Sequence, residues 1–370
     1  MSVDDATKKR VVEVKASESS YEVIIEEGLI SKLEFYVKDA LDKQGFSSVD
    51  SIFIISDSNV WEIYGEGVKT TLLKLRGKVN HFVFETGEKS KNPKTLFECV
   101  EKMGEAGCSR DTLVINLGGG VACDLGGFAA ATYMRGVKHI AIPTSLLAMV
   151  DASVGGKTAV DLPCGKNLFG AFHQPIAVFV DPKVLSTLSD EEFRDSIGEV
   201  VKHSILANEE MFNFLHDNKL DKTYVGTQVL NDIIYKNIEI KNEIVSNDEF
   251  ESGVRQTLNL GHTIGHAVEL AQNFELGHGS CVAIGLCMIA KALANSEIIE
   301  QSVSSKIEQA FKTQGLPTST DVSIEEILRL VKNDKKRHGE SLNVIVPKKI
   351  GDCEVMNFSF EEFDKLMEKY

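Results

Sequence analysis

The 370-residue sequence has no disulfide framework. Its seven cysteines (Cys99, Cys108, Cys123, Cys164, Cys281, Cys287 and Cys353) are odd in number and scattered, and no two have CxxC spacing. That excludes a disulfide-stapled scaffold and a zinc ribbon, and sets the expectation of reduced thiols in a cytoplasmic protein. Positive charge is also scarce: 40 Lys and Arg face 55 Asp and Glu, a formal net charge of −15. Such a field repels polyanions, so no nucleic-acid partner is expected. No apolar run reaches the about 18 residues that a membrane-spanning helix needs. The longest weakly charged runs lie near 139–150 and 279–290, and the opening MSVDDATKKR has no apolar h-region. Neither a membrane association nor a signal peptide is therefore expected. Internal repeats and low-complexity linkers are missing too.

What is present reads as two domains. Strand patterns at 11–14, 21–25, 52–55, 81–84, 113–117, 139–142 and 177–180 alternate with helical patterns at 29–39, 60–74, 93–106 and 123–134. This alternation predicts βαβ units around a mostly parallel sheet. Beyond Asp181-Pro182 the chain reads mostly as helices, at 191–207, 228–245, 257–272, 281–294, 303–313 and 324–333. A strand at 342–346 and a helix at 360–369 follow. The expected organisation is an α/β domain over 1–181 and a mainly helical domain over 182–370.

The apolar run Leu113-Val114-Ile115-Asn116-Leu117 leads straight into Gly118-Gly119-Gly120 and then Val121-Ala122-Cys123-Asp124. Glycines at a strand-to-helix turn let the backbone approach a pyrophosphate, and the helix N-terminus behind them offers free N–H groups and a positive dipole. A plain tight turn uses the same residues. The GxGxxG fingerprint fails, because Cys123 occupies its third glycine position, so a dinucleotide would bind in a different frame. A second cluster, Asp151-Ala152-Ser153-Val154-Gly155-Gly156-Lys157-Thr158, ends like a P-loop. Asp151 stands where that pattern needs its first glycine, which excludes a P-loop nucleotidase. Lys157, and Lys166 in Gly165-Lys166-Asn167, suit anions or hydroxyls, although solvated surface lysines look the same in sequence.

His262 and His266 stand four apart, which on a helix puts both on one face. His278 lies between Gly277 and Gly279, and Glu199 and His203 form another pair four apart. Two histidines and one carboxylate make a ligand set for a catalytic zinc with an open position. Thr263 replaces the glutamate of the HExxH pattern. The spacing leaves open which of His262 and His266 binds metal, and buried structural histidines are the bland alternative. Arg255 and Asn259 extend the same expected helix face, giving Arg, Asn, His, His where a buried helix should be apolar. A site accounts for that better than packing does.

Together these segments resemble the 3-dehydroquinate synthases of the sugar-phosphate cyclase superfamily. The resemblance is carried by GGGVACDLGGFAAATYMRG, IPTSLLAMVDASVGGKTAVDLPCGKNLFGAFHQP, IGEVVKHSI, ESGVRQTLNLGHTIGHAVE and LGHGSCVAIG, and spans Gly87 to Lys336. It implies an α/β fold with a Rossmann-like N-terminal NAD-binding domain and a mainly α-helical C-terminal metal and substrate domain. It implies Zn²⁺ or Co²⁺ on Glu199, His262 and His278. NAD contacts are implied at Asp57, Asn59, Gly87, Glu88, Lys91, Gly119, Gly120, Val121 and Asp124. Thr144, Ser145, Lys157, Lys166, Val184, Leu185, Ser186 and Thr187 complete the implied cofactor pocket. A sugar phosphate is implied to meet Arg135, Asp151, Lys157, Asn167, Lys202, Lys241, Arg255, Asn259, His266 and Lys335 or Lys336. Glu251 and His266 match proton acceptors, with Asp151 and Lys157 in the same catalytic set. Arg135 matches an arginine that reaches the phosphate of a neighbouring subunit, which implies a homodimer. Ser145 replaces a frequent threonine and keeps the hydroxyl. Asp161-Leu162 replaces a frequent Asn-His, with little effect expected.

The implied reaction turns 3-deoxy-D-arabino-heptulosonate 7-phosphate into 3-dehydroquinate and phosphate, a lyase step of the shikimate pathway to aromatic amino acids. A hydroxyl is oxidised by NAD, phosphate leaves by β-elimination, the hydride returns, and the ring opens and recloses by an aldol step. The redox change cancels. Two other readings share the NAD and metal sites: a cyclase making an inosose or a valiolone, and a metal-dependent polyol dehydrogenase. The first differs in the substrate pocket, where Lys241, Arg255, Asn259 and Asp334-Lys335-Lys336 follow the dehydroquinate synthase pattern. The second consumes NAD and needs fewer phosphate-binding cations.

Overall fold

The computed structural model describes residues 9–17, 20–46, 49–75, 78–335 and 341–370. The chain divides into two compact units, Met1–Leu188 with Val225–Phe250, and Ser189–Tyr224 with Glu251–Tyr370.

The first unit is built on a seven-stranded sheet. Its strands are β1 (Arg10–Lys15), β2 (Ser20–Ile25), β3 (Ile52–Asp57), β4 (Val79–Phe84), β5 (Leu113–Gly118) and β6 (His139–Pro143). After a separate hairpin of β7 (Lys157–Leu162) and β8 (Gly165–Phe172) comes the last, β9 (Ala177–Val180). The spatial order is β1-β2-β9-β6-β5-β3-β4. The β1–β2 pair is antiparallel and the other neighbours in this sheet are parallel. Parallel pairing requires crossovers. Among the crossover helices are α1 (Leu33–Lys43), the single turn α2 (Ser58–Val60), α3 (Glu66–Leu73), α4 (Pro93–Glu105) and α5 (Gly120–Thr132). Asn92 starts α4 by accepting from the Thr95 amide at 3.0 Å, with Pro93 in the first position, where a missing N–H costs nothing.

β3 and β5 are buried along their whole length, as strands covered on both faces must be. Alternate side chains serve different cores. Ile52, Ile54, Leu113 and Ile115 pack with Val37 and Leu72, whereas Phe53, Ile55 and Val114 pack with Leu96, Met103 and Leu125. The strand order reverses between β3 and β5: the chain goes outward to β4, then returns across β3 to β5 and β6. Such a switch point opens a crevice at the carboxyl ends of its two strands, which here are Asp57 and Gly118. The β7–β8 hairpin has no counterpart in the pattern reading, because β8 is mostly exposed and lacks apolar alternation.

Beyond Leu188 the chain is mainly helical, with α6 (Asp190–Ala207), α7 (Glu209–Asp217), α8 (Gln228–Asn247), α9 (His262–Ala271), α10 (His278–Asn295), α11 (Gln301–Thr313) and α12 (Ile324–Lys335). A hairpin of β10 (Ser341–Lys349) and β11 (Asp352–Ser359) precedes α13 (Phe360–Met367). Of these, α8 packs within the first unit and the others form the second. The continuous helix expected over 257–272 is not one helix. A 3₁₀ turn, Val254–Asn259, is separated from α9 by Gly261 at φ 79°. A left-handed glycine redirects the chain, so Arg255 and Asn259 do not share a helix face with His262 and His266. Helix α10 is long and apolar enough to cross a membrane, but 83% of it is buried inside the fold, as in a core helix.

Glycines bring α6, α9 and α10 into backbone contact. A Cβ on Gly198 would lie 2.3 Å from the Gly279 carbonyl oxygen, and one on Gly285 would lie 2.2 Å from the Gly261 oxygen. Gly198→Ala is therefore expected to destabilise the protein by on the order of 1–3 kcal/mol through overpacking. Gly67→Ala, on α3 with nothing within 4 Å of the added methyl, is expected to stabilise by about 0.5–1 kcal/mol. Urea denaturation checks both; an unchanged midpoint for Gly198→Ala contradicts the close helix crossing.

Candidate active site

Glu199 sits in the middle of α6 with no solvent exposure. Its Oε1 lies 3.3 Å from His278 Nε2 and 3.6 Å from His262 Nε2, and its Oε2 pairs with Lys202 one turn further along. His262 opens α9 and His278 opens α10. His262 Nδ1 is 3.1 Å from the Leu260 carbonyl oxygen; a proton donated there leaves the Nε2 lone pair facing Glu199. The start of α10 is fastened by Asp195, whose carboxylate accepts from the Gly279 amide at 3.1 Å, the Ser280 amide at 2.8 Å and the Ser280 hydroxyl at 2.7 Å. A Cβ on Gly277 would fall 2.3 Å from that carboxylate carbon, so glycine beside His278 is a spatial requirement.

One donor atom each from Glu199, His262 and His278 falls within 4.8 Å of the others. Two imidazoles and a carboxylate suit Zn²⁺ or Co²⁺ with a coordination position left for a ligand. Burial and then the Lys202 ammonium hold the His262 pKa well below the usual imidazole range, so it is a neutral donor. Burial pulls His278 the same way, but hydrogen bonding to Glu199 and Glu269 outweighs it and pushes its pKa up to about 10. A buried carboxylate demands positive charge nearby, and a divalent cation can supply what the imidazolium proton otherwise does. The residues fit such an ion.

His266 stands beside both imidazoles, its ring centroid 5.2 Å from His262 and 6.0 Å from His278. Asn259 donates to Glu251 Oε1 at 2.7 Å, and Glu251 holds a left-handed φ of 60°. Arg255 and Lys202 are each 1% exposed. Lys335 ends α12, and Lys336 lies outside the described residues.

Around the β3/β5 switch point the first unit gathers most of its expected residues, whereas Arg135 follows the far end of α5. Asp57 accepts from the Val60 amide at 3.0 Å and so starts the exposed turn carrying Asn59. The Thr144 amide donates to Gly118 at 2.9 Å, and a Cβ on Gly119 would press on Ser145 Oγ at 3.4 Å. Helix α5 begins at Gly120 and Val121, which points an N-terminal dipole into this region. Lys91, buried, lies 2.5 Å from Asp124 and donates to Asn167 Oδ1 at 2.6 Å, while Lys166 lies 2.8 Å from Glu88. Gly87 provides the turn before Glu88 at φ 105°. Burial disfavours charge on Lys91, but Asp124 and Glu88 outweigh it and raise its pKa. Lys241 on α8 bonds both the carboxylate and the carbonyl of Asp151. Lys157 is exposed at the start of β7. Arg135 is exposed on a run of three positive φ values, 49° at Met134, 72° at Arg135 and 117° at Gly136, a strained geometry rarely kept without a reason.

Val184 and Leu185 are buried, with Ser186 and Thr187 exposed after them. Tyr64, which no pattern in the sequence singles out, ties this turn down through its hydroxyl, 2.7 Å from Thr187 Oγ1 and 3.3 Å from the Val184 oxygen. Asp195 was equally invisible, since its role depends on where α10 begins in space.

Family models described as 3-dehydroquinate synthase N-terminal and C-terminal match residues 81–195 and 196–337. The chain belongs to the 3-dehydroquinate synthase family. The 3-dehydroquinate synthase of Clostridium kluyveri is 38% identical over 355 residues, covering 95% of this chain and 97% of that protein. That of Clostridium beijerinckii is 39% identical over 352 residues, with 95% and 98% covered. A solved 2-deoxy-scyllo-inosose synthase, complexed with carbaglucose-6-phosphate, NAD+ and Co2+, shares the fold at a TM-score of 0.86 and 24% identity, covering 97% of this chain and 99% of that one. Within the matched 3-dehydroquinate synthase segments lie the β5–α5 glycine turn and all three donors, Glu199, His262 and His278.

Zinc or cobalt titration is expected to give one tightly held ion per chain. His262→Ala should weaken it by more than about a hundredfold in chelator competition, because a three-ligand set loses one member. Wild-type affinity in that variant would remove His262 from the site.

Proposed function

We propose that this chain converts 3-deoxy-D-arabino-heptulosonate 7-phosphate to 3-dehydroquinate and phosphate, as a phosphorus–oxygen lyase using NAD catalytically and a divalent cation on Glu199, His262 and His278. The observation that carries this reading is the buried Glu199 facing two imidazoles in a chain that matches 3-dehydroquinate synthases over 95% of its length. A cation held by Glu199, His262 and His278 would supply Lewis-acid stabilisation of negative charge on oxygen, and NAD would supply a reversible hydride acceptor.

The chain's own residues supply the rest. The substrate carries a phosphate and a carboxylate, and Lys202, Lys241, Arg255 and Arg135 are the cations assigned to them. Lys202 and Lys241 are each anchored by a carboxylate, Glu199 and Asp151, which fixes their direction before substrate arrives. His266, beside the two imidazole ligands, takes up the hydroxyl proton, work an imidazole does near neutral pH. Glu251, oriented by Asn259, is the second proton acceptor. Lysines and backbone N–H groups around Gly119, Gly120 and Val121 hold the NAD pyrophosphate. The NAD part is assigned to 1–181, with Val184, Leu185, Ser186 and Thr187 added from beyond it, and the metal and substrate part to 182–370. The enzyme works in the cytoplasm as a homodimer in which Arg135 reaches the phosphate held by the neighbouring subunit.

The test supplies the heptulosonate phosphate, Zn²⁺ or Co²⁺, and NAD far below substrate. Many phosphates released per NAD, with 3-dehydroquinate identified by NMR, is the expected result. Consumption of NAD in step with product would instead mark a dehydrogenase, and turnover of a different sugar phosphate another cyclase. Arg135→Ala should raise KM for the sugar phosphate about tenfold or more, the worth of a charged hydrogen bond, with NAD affinity unchanged. Equal loss of both would contradict a phosphate role for Arg135.

A further inference from the structure

We propose that Asp161 is a positioning residue that sets Lys91 and Asn167 through a closed hydrogen-bond circuit. The inference rests on the reading above, in which Lys91 meets NAD and Asn167 the sugar phosphate.

The circuit begins with an irregularity in the β7–β8 hairpin. Val160 pairs with Phe169, but the next pair is Leu162 with Gly165, so Asp161 alone stands opposite Lys166, Asn167 and Leu168. A bulge of this kind releases backbone groups from the ladder and re-aims side chains. The released Asp161 N–H donates to the Lys91 carbonyl oxygen at 2.8 Å. Its Oδ1 accepts from the Asn167 N–H at 2.8 Å. The Asn167 side-chain oxygen accepts from Lys91 Nζ at 2.6 Å, which closes the ring. Asn167 holds a left-handed φ of 55°. Asparagine tolerates that conformation but does not prefer it, so the Asp161 carboxylate is what selects it.

Two ion pairs frame the ring. Lys91 is held from its other side by Asp124 at 2.5 Å, and Lys166 by Glu88 at 2.8 Å. The hairpin and the loop after β4 are thus tied together by the Asp161 N–H, the Lys91 ammonium and the Lys166–Glu88 pair, while the Asp161 carboxylate sets the Asn167 backbone on which the Lys91 tie depends. Removing that acceptor opens the ring and frees the Asn167 backbone, which also carries Lys166. An asparagine at 161 presents a side-chain oxygen in the same place, whereas alanine presents none. The small effect expected of an Asp for Asn exchange is consistent with this, and does not extend to loss of the acceptor.

Asp161→Ala and Asp161→Asn test the circuit in the metal-loaded full chain. NAD affinity is read by calorimetry, KM and kcat with the heptulosonate phosphate, and amide hydrogen exchange over 165–172 in the ligand-free protein. Asp161→Ala is expected to raise the NAD Kd and the sugar-phosphate KM about tenfold each, to leave kcat within about twofold, and to speed exchange at the Asn167 amide. Asp161→Asn is expected to stay near the wild type in all of these. Wild-type exchange and constants in Asp161→Ala overturn the proposal, and so do equal losses in both variants, which would assign the effect to charge. If the unmodified protein binds no NAD, the functional reading fails. The exchange rates alone then decide the circuit: faster in Ala but not in Asn supports it, and no change overturns it.

Discussion

A carboxylate with no access to water has to be answered by charge and hydrogen bonds, and the second unit is organised around that demand at Glu199. Lys202 answers it from the same helix and the Nε2 atoms of His262 and His278 from two others. Three helices can bring these groups so close only because their backbones touch at glycines. Gly198 meets Gly279, Gly261 meets Gly285, and Gly277 leaves room for the carboxylate of Asp195. The cost of burying Glu199 and the tightness of the helix crossings are therefore one design: widening the crossing would also part the donors that make the buried charge tolerable.

The first unit handles charge differently. A chain with a net charge of −15 should repel a sugar phosphate, yet its lysines near the switch point are not left to swing in solvent. Lys91 is held by Asp124, Lys166 by Glu88 and Lys241 by Asp151. Each pairing lowers the local positive potential but fixes where it is directed, which favours orientation over long-range attraction. Backbone N–H groups at the Gly118–Gly120 turn and the start of α5 offer a further, uncharged means of meeting an anion.

Much of this was legible in the sequence, where periodicity carries the signal. All seven strands of the large sheet show apolar patterns: β3 and β5, buried on both faces, as near-continuous runs, and β1 as an alternation of buried and exposed positions. The β7–β8 hairpin does not, since its second strand is exposed and glycine-rich. The break at Gly261 is a backbone event that four-residue spacing cannot register, and it separates Arg255 and Asn259 from the face of α9. The same limit left His262 and His266 equivalent in sequence, whereas in space it is His262 that faces Glu199, with its other ring nitrogen at the Leu260 carbonyl. Tyr64 and Asp195 act through partners distant in the chain, so only the folded structure shows them.

X-ray absorption at the zinc edge of the loaded protein tests the organising role of Glu199 most directly. The expected shell contains two imidazole nitrogens and a carboxylate oxygen at about 2.0–2.2 Å, with no sulfur. A Glu199→Gln variant should lose that shell. A sulfur scatterer at about 2.3 Å, or an unaltered shell in the Gln variant, would contradict it.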